Sequence, residues 1–375
     1  VLAFAAAAIA YGIGKPDLAN NGMFTGIFII AFYWLATFIA FGGTKILSKV
    51  TSAGFLVGTV FPGIIVIILG IVWFVSKRPL GFEELTATEK TVATVVNGVV
   101  KPRFFPDLSN LNNLSFLSGI VLLFAGVEVQ AVHAADMENP KKQYPLAIFI
   151  SSIIVFVLFT FGSLAIAAVV PNSQLKLESG LLQALTTMLT AVKMKWALYI
   201  LAFCIAFGSL GGVLSWISGP SKGLLTTAKD GLLPEKLAET TKSGAPKNMM
   251  LIQGVIVTIL ASLYFFMKNV SVAFFLLSAL TIAVYIIMYI LMYAAAIVLR
   301  KKQPNLERPY KAPALKFIAI VGILAAIFAL ILSFVPPAQL PIGKPASYIA
   351  IVAIGTIGFF IIPLIIANRK KVNKN

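Results

Sequence analysis

The chain alternates between long apolar runs and short polar segments, and many apolar runs reach the roughly 18 residues that a helix needs to cross a bilayer. These runs are apolar all round the helix rather than on one face, so packing in a soluble protein could not hide them. They also lack the alternation that is typical of the strands of a membrane barrel. The pattern therefore predicts an all-α polytopic membrane protein.

Hydropathy predicts nine full membrane spans and one partial span at the start of the chain. The predicted spans are Val1–Ile13 (partial), Gly22–Phe41, Phe55–Val75, Leu114–Ala131, Leu146–Val169, Trp196–Ile217, Met249–Met267, Val270–Leu299, Phe317–Val335 and Tyr348–Ala367. Pro62 and Pro363 lie inside spans and are expected to kink them.

The first residue is Val, and the stretch VLAFAAAAIAYGIG reads as the tail of a membrane span. It lacks the basic flank and the cleavage site of a signal peptide. We therefore expect the chain to lack N-terminal spans that precede this point.

Composition supports the membrane interpretation, because 59% of the residues are hydrophobic and 11% are charged. A soluble domain usually carries about a quarter charged residues. The net charge of +17 is explained by cytoplasmic loops, which collect Lys and Arg in membrane proteins. Nucleic-acid binding is not expected, since no basic patch with interleaved aromatics lies outside the spans. The single cysteine, Cys204, excludes an internal disulfide and a Cys-cluster metal site.

Lysine and arginine are concentrated in alternate loops, and this asymmetry sets the expected orientation. Most of the 30 basic residues fall within segments 45–49, 141–142, 222–247, 300–316 and 369–374. These segments are expected to face the cytoplasm, together with the C-terminus. The loop Gly219–Lys247 is then cytoplasmic, and the loop Ser76–Asn113 is extracellular, where TATEKTVATVVNGVV is expected to form a short surface helix.

One acid stands out, because Glu128 and His133 are the only ionisable residues between Leu108 and Ala135. The other full spans carry no acid or base in their middle. A carboxylate near the bilayer centre costs roughly 2.5–3.5 kcal/mol, so it is a functional candidate by default. The alternative is an acid that is protonated and packed between helices.

Gly126 immediately precedes this acid in the sequence AGVE, and a glycine inside a helix costs about 1 kcal/mol relative to alanine. The span is therefore expected to unwind at Gly126–Glu128, as the discontinuous helices of secondary transporters do. Close helix packing is the other interpretation of the glycine. His133 follows Glu128 by five residues and either tunes its proton affinity or sits at a helix end.

Tyr285, Tyr289 and Tyr293 lie at i, i+4 and i+8 of one span and therefore share a helical face. Mid-span hydroxyls need hydrogen-bond partners, so Tyr285 and Tyr289 are expected to line a pathway. Tyr293 is assigned to the interfacial belt or to packing. In the stretch FGSLGGVLSWISGPSKG, the small residues permit either close helix approach or room for a ligand, and the sequence does not separate these two roles.

Several motifs, taken together and in order, resemble the amino acid–polyamine–organocation transporters. They are FAGVEVQAVHAADMENPKKQYPLAI, SWISGPSKGLLTTAKDGLLPEKLAETTKSGAPKNMMLIQ and ERPYKAP. Within that superfamily the resemblance is strongest to the bacterial glutamate:GABA antiporters, which FGGTK at Phe41–Lys45 and SFVPP at Ser333–Pro337 also resemble. The similarity extends from the first residue to the end of the last span.

The resemblance implies a fold of an inverted five-plus-five helix repeat plus two helices. This chain would lack the first two to three helices and form a single membrane transporter domain over residues 1–375. The segment Leu114–Ala131 would be the sixth span of the family. The substrate would bind between that broken span and the first one.

Site residues are also implied by the resemblance. The substrate-binding candidates are Gly126, Val127, Glu128, Gly212, Tyr285 and Tyr289. Glu128 corresponds to the family's acid in the unwound sixth span and would act as a proton-sensitive counter-charge, with His133 as the second proton-sensing candidate. Gly212 occupies the position where the glutamate antiporters carry a second acid. No metal or cofactor is implied.

The implied function is secondary amino acid transport across the bacterial inner membrane, by antiport of glutamate and GABA or a related pair through alternating access. A permease or proton symporter of the same superfamily with another substrate is the alternative. A membrane-embedded enzyme is disfavoured, because the single His and the single Cys lie in different spans. A channel is disfavoured, because one mid-span acid and a broken helix fit alternating access better than a ringed pore. The sequence does not determine the oligomeric state.

Overall fold

The computed structural model describes residues 1–82, 93–96, 99–102, 111–267, 269–308, 310–337 and 344–372, and most of these are helical. The α-helices are α1 (Leu2–Gly12), α2 (Gly22–Ala40), α3 (Thr44–Phe55), α4 (Phe61–Val75), α5 (Leu111–Leu114), α6 (Leu117–Phe124), α7 (Pro140–Val169), α8 (Gly180–Ala191), α9 (Trp196–Lys229), α10 (Lys247–Ala261), α11 (Leu263–Phe266), α12 (Val270–Lys302), α13 (Leu315–Ser333) and α14 (Pro345–Val372). The 3-10 helices are Pro16–Asn20, Glu128–Asp136, Asn172–Gln174 and Glu235–Ala238, and a π-helical turn covers Leu56–Val60.

Within the described part of the chain, eight helices are long and apolar enough to cross a membrane. Two of them are composite, since α3 continues into α4 and α10 into α11. These eight coincide with eight of the nine full spans predicted from hydropathy. The remaining predicted span, Leu114–Ala131, is interrupted. The prediction of an all-α polytopic fold is thereby confirmed.

The helix that contains the predicted span Trp196–Ile217 is longer than that span, because α9 continues from Trp196 to Lys229. The first part of the predicted loop Gly219–Lys247 is therefore helical. Pro220 lies inside this helix, next to Ser221, whose Oγ donates to the Ile217 carbonyl at 2.6 Å. Serine hydroxyls and neighbouring helices commonly allow proline inside membrane helices.

The helix that contains Pro62 widens into the π-helical turn Leu56–Val60 just before the proline. A π turn adds a residue to one turn of the helix and is a recognised cause of bending. At this turn the helix also approaches α9 closely. A Cβ built on Gly208 would lie 2.6 Å from the Gly58 backbone, and one on Gly211 would lie 3.3 Å from the Thr51 backbone. Gly208 and Gly211 therefore serve helix packing.

The surface helix expected within Ser76–Asn113 is a wrong prediction for the described part of that stretch. Residues 93–96 and 99–102 form two antiparallel strands, β1 (Ala93–Val96) and β2 (Val99–Pro102), with Val96 opposite Val99. The residues Val and Thr favour strands because their β-branched side chains fit a pleated surface. The intervening Asn-Gly is a strong sequence signal for a two-residue hairpin, which outweighs the helical interpretation.

The chain divides into two compact units. The first comprises Val1–Phe105 and Phe156–Phe274, and the second comprises Pro106–Val155 and Phe275–Asn375. The core of the first unit packs the alanine-rich α1 with α9 and with α8, whose Leu182 and Leu185 are fully buried. The sequence did not predict α8, because its 12 residues are too short for a membrane span.

The core of the second unit joins three of its helices. Ile282 and Ile286 of α12 pack with Ala326 and Ala329 of α13, and Val121 of α6 covers this cluster. The face of α12 that carries these isoleucines is therefore held against its neighbours within this unit. This packing positions the side chains on the rest of α12.

A buried acid lies in the first unit at the start of α8. The Glu178 side chain is only 2% exposed, and its Oε2 accepts a 2.5 Å hydrogen bond from Ser271 Oγ at the start of α12. Burial of a carboxyl is costly unless it is hydrogen-bonded. The bond therefore ties the loop before α8 to the beginning of α12.

We predict that Glu178→Ala lowers the free energy of unfolding by about 1–3 kcal/mol, because Ser271 then loses its partner in a buried setting. Thermal unfolding of the purified protein in detergent measures this loss. In a double-mutant cycle with Ser271→Ala, the two losses should be less than additive. Glu235→Ala, at an exposed position, is the control and should change stability by no more than about 0.5 kcal/mol. Additive losses would contradict the assigned bond.

Candidate functional site

The site begins where the predicted span Leu114–Ala131 is interrupted. Helix α6 ends at Phe124, and the 3-10 helix Glu128–Asp136 starts after a turn. Within that turn Gly126 has φ of 99°, a conformation that is open to glycine and costs other residues roughly 1–2 kcal/mol. The interruption predicted at Gly126–Glu128 is confirmed.

The backbone on both sides of this turn departs from regular α-helix. After the turn, Val129 N–H donates to the Gly126 carbonyl, three residues back, at 3.2 Å. The 3-10 helix that follows runs for nine residues, whereas runs longer than about four are uncommon because their hydrogen bonds are poorly aligned. The backbone hydrogen bonds here are thus weaker than those of a regular α-helix.

The Glu128 carboxyl is held by two tyrosines of α12. Tyr285 Oη donates to Oε1 at 2.5 Å, and Tyr289 Oη donates to Oε2 at 3.1 Å. The group is partly buried, so each phenol replaces water that the carboxyl would otherwise bind. The structure therefore brings together three of the residues that the sequence selected.

The two tyrosines reach one carboxyl because they are a single turn apart on α12. Their rings lie 5.1 Å apart in an edge-to-face arrangement at 80°, which is a favourable geometry for aromatic pairs. Both hydroxyls also interact with the backbone of Gly126. The turn, the acid and the tyrosine pair consequently form one connected polar group.

Tyr293, one turn further along α12, does not belong to this group. Its ring stands 6.4 Å from the Tyr289 ring, and a Cβ built on Gly322 of α13 would lie 2.9 Å from it. Its position therefore agrees with packing, one of the two roles, belt or packing, that the sequence left open for it.

Sequence reasoning missed Tyr144, near the start of α7, whose hydroxyl lies close enough to interact electrostatically with the Glu128 carboxyl. It occurs in the motif KKQYPLAI, beside Pro145. No local pattern marks it, because its approach to Glu128 depends on the path of the chain after the 3-10 helix.

Three further candidates are Val127, Gly212 and His133. Val127 lies in the turn with helical backbone angles. Gly212 lies on α9 in the first unit, where a Cβ would meet only the Val1 side chain at an ordinary 3.8 Å. The side chain of His133 lies outside the described part of the structure, so its predicted role stays a prediction.

Metal binding finds no support in the described residues, among which no three His, Cys, Asp or Glu side chains are grouped so as to hold an ion. The polar side-chain groups that meet at Glu128 are its carboxyl and the two phenols. Such a set recognises an ammonium or other hydrogen-bond donor.

Comparison with known proteins places these residues in a family context. A family model described as amino acid permease matches residues 1–359. An uncharacterized transporter of Legionella pneumophila is 35% identical over 373 residues, which cover 98% of this chain and 77% of that protein. Relatives of this kind are transporters rather than enzymes.

Two further relatives carry more specific names. A glutamate/gamma-aminobutyrate antiporter of Lactococcus lactis is 33% identical over 370 residues, which cover 97% of this chain and 71% of that protein. A probable agmatine/putrescine antiporter of the same species is 28% identical over 274 residues, which cover 70% and 56% of the two chains.

We predict that Gly126→Ala destabilises the protein by about 1–2 kcal/mol, because alanine is strained at a φ of 99°. Gly119→Ala is the matched control in the preceding helix, where a Cβ meets no atom within 4 Å. It should raise stability by up to about 1 kcal/mol through helix propensity. Thermal unfolding in detergent compares the two variants. Equal effects would mean that the turn at Gly126 does not require glycine.

Proposed function

The chain belongs to the amino acid permease family, and from this premise we propose that it is a secondary active transporter that exchanges glutamate for GABA, or a related pair, by alternating access. The proposal rests chiefly on the Glu128 carboxyl, which lies at a break in a membrane span with both oxygens held by Tyr285 and Tyr289. We assign the whole chain, residues 1–375, to one transport domain.

In this proposal, Glu128 is the counter-charge for the substrate's amino group. An ammonium has three N–H donors and competes with the two phenols for the carboxyl oxygens. The carbonyl end of α6 adds partial negative charge at the same place. An incoming ammonium thus replaces two hydrogen bonds from neutral phenols by hydrogen bonds from a cation, which add charge–charge attraction to the carboxylate.

Antiport suits this arrangement, because glutamate and GABA both carry one ammonium and differ by a carboxylate. A single counter-charge therefore serves both members of such a pair. When the substrate leaves, the phenols again donate hydrogen bonds to the Glu128 carboxyl. The carboxyl is therefore not left charged and unpaired, whichever side of the membrane the site faces. Glu128 and His133 are proposed to make this exchange sensitive to protons.

A second candidate is transport of another amino acid or an amine, by a permease or proton symporter of the same superfamily. It is favoured by Gly212, which occupies the position of the second acid of the glutamate antiporters, and by the similarity to a probable agmatine/putrescine antiporter. Gly212 is proposed to line the pathway in either case. If glutamate is the substrate, its second carboxylate would be recognised by residues other than an acid at this position.

The setting of the proposed activity is a bacterial inner membrane, in which the protein is a multi-pass helical transporter. We propose that the loops rich in Lys and Arg and the C-terminus face the cytoplasm, following the charge asymmetry of the loops. Cysteine labelling of introduced single sites from each side of the membrane tests this orientation.

We predict that Tyr285→Phe and Tyr289→Phe each lower KM for exchange by about 10–100-fold, because each removes a phenol that competes with the substrate's ammonium for Glu128 through a hydrogen bond to a charged group worth about 1.5–3 kcal/mol. Tyr293→Phe is the matched control on the same helical face and should leave exchange within about twofold of the parent. The measurement is uptake of labelled substrate by preloaded proteoliposomes. If Glu128→Gln leaves the exchange rate and its pH profile unchanged, the role given to Glu128 is wrong.

Substrate identity is tested by competition in the same proteoliposomes. Unlabelled glutamate and GABA should each suppress uptake of labelled glutamate, and exchange should require a counter-substrate inside the vesicle. Putrescine, agmatine and neutral amino acids form the comparison series. Failure of both glutamate and GABA to compete would contradict the first candidate and leave the transporter class intact, with the competing compound identifying the second.

A further inference from the structure

A groove at the end of α12 and the start of α13 lies away from the acid and the tyrosines. Its volume is about 620 Å³. The lining residues are Arg300, Ala314, Leu315, Lys316, Phe317 and Ile320. Two cationic side chains and several apolar ones thus share one concave surface within the second unit.

Basic charge dominates the chain around this groove. Between residues 300 and 316 there are six Lys or Arg and a single acid, Glu307. That acid lies 3.9 Å from Lys141 across an exposed ion pair. Arg300 is positioned at the groove by its Nη1, which donates to the Ala312 carbonyl at 3.2 Å, and Lys316 is exposed.

The apolar part of the groove continues along α13 as an exposed stripe. Phe317 is 71% exposed and Leu324 is 63% exposed. Ile320, Phe328 and Ile331 extend the same stripe at helical spacing. A cationic pocket thus opens onto a lipid-facing apolar surface, with the cations at one end and the apolar side chains running away from them.

We propose that this groove binds the headgroup of an acidic phospholipid, with the phosphate between Arg300 and Lys316 and an acyl chain along the stripe. Guanidinium and ammonium groups form strong charge-assisted bonds with phosphate. Basic pockets between membrane helices are suited to anionic headgroups. A soluble phosphate would satisfy the cations but leave the apolar stripe unused, so the lipid fits more of the observed surface.

This site is separate from the one that contains Glu128. Arg300 follows Tyr289 by 11 positions on the continuous helix α12, which places it about 16 Å further along the axis. The proposal therefore depends on membrane embedding and not on the identity of the transported substrate. Its failure would leave the proposed exchange function untouched.

The test is native mass spectrometry of the purified protein in a non-ionic detergent, titrated with dioleoyl phosphatidylglycerol. The double variant Arg300→Gln and Lys316→Gln should weaken binding about thirtyfold, from roughly 1 kcal/mol for each cation near the headgroup. The control Lys236→Gln and Lys242→Gln removes the same charge from exposed positions of another loop and should change binding by less than about twofold.

Three results would overturn the proposal: equal weakening by the control pair, equal binding of dioleoyl phosphatidylcholine, or full competition by inorganic phosphate or dihexanoyl phosphatidylglycerol. Full competition by inorganic phosphate would identify a soluble phosphate site, and full competition by dihexanoyl phosphatidylglycerol would show that the apolar stripe is not used. If the double variant does not fold, Lys316→Gln alone carries the test, because its side chain is exposed. It should weaken binding about fivefold, and an unchanged affinity would also overturn the assignment.

Discussion

Hydrocarbon offers no hydrogen-bond partner to a peptide group or a carboxyl, so every departure from regular helix in a membrane span must be matched by polar groups from the protein itself. The segment around Gly126 obeys this constraint closely. The backbone turns there, the next residue but one is an acid, and two phenols from α12 meet that acid. Each of these features would be costly alone: an open turn would expose carbonyls, a lone carboxyl would be desolvated, and mid-span phenols would lack partners. Together they satisfy one another, and the group remains able to exchange those bonds for a ligand's.

The parts of this arrangement that the sequence predicted are those with a local signal. Long apolar runs marked eight helices, the pair Gly126 and Glu128 marked the interruption, and the spacing of Tyr285 and Tyr289 placed both on one face. Features that depend on tertiary packing were missed. Helix α8 is 12 residues long, and helices of that length are marginal by themselves and owe their stability to packing. The extension of α9 beyond Pro220 and the approach of Tyr144 to Glu128 also depend on neighbours that are distant in the sequence.

Gly126 and Gly208 show why a conformational role and a packing role are distinguished by the structure and not by the sequence. Gly126 is required for its conformation, since its φ is positive. Gly208 is required for its size, since a Cβ there would meet the Gly58 backbone at 2.6 Å. In the sequence both stand inside apolar runs, and both admit either a packing or a binding interpretation. The difference lies in the partner: Gly126 is surrounded by its own turn and the tyrosines, whereas the partner of Gly208 is a glycine about 150 positions away. A pattern that is read along one segment contains no information on that partner.

The two elements that build the acid–tyrosine group also differ in stiffness, and this difference indicates which of them moves during transport. Helix α12 runs from Val270 to Lys302 without glycine or proline. A displacement of one end of this stiff helix therefore displaces its other end as well. The partner segment is a turn followed by a nine-residue 3-10 helix, which has weaker hydrogen bonds and rearranges at lower cost. Under the proposed alternating access, a change between inward and outward states would therefore move the Glu128 segment against a nearly rigid tyrosine pair. An acidic lipid bound at Arg300 would act on α12, the rigid element. It would hold the end of the helix whose tyrosines contact Glu128.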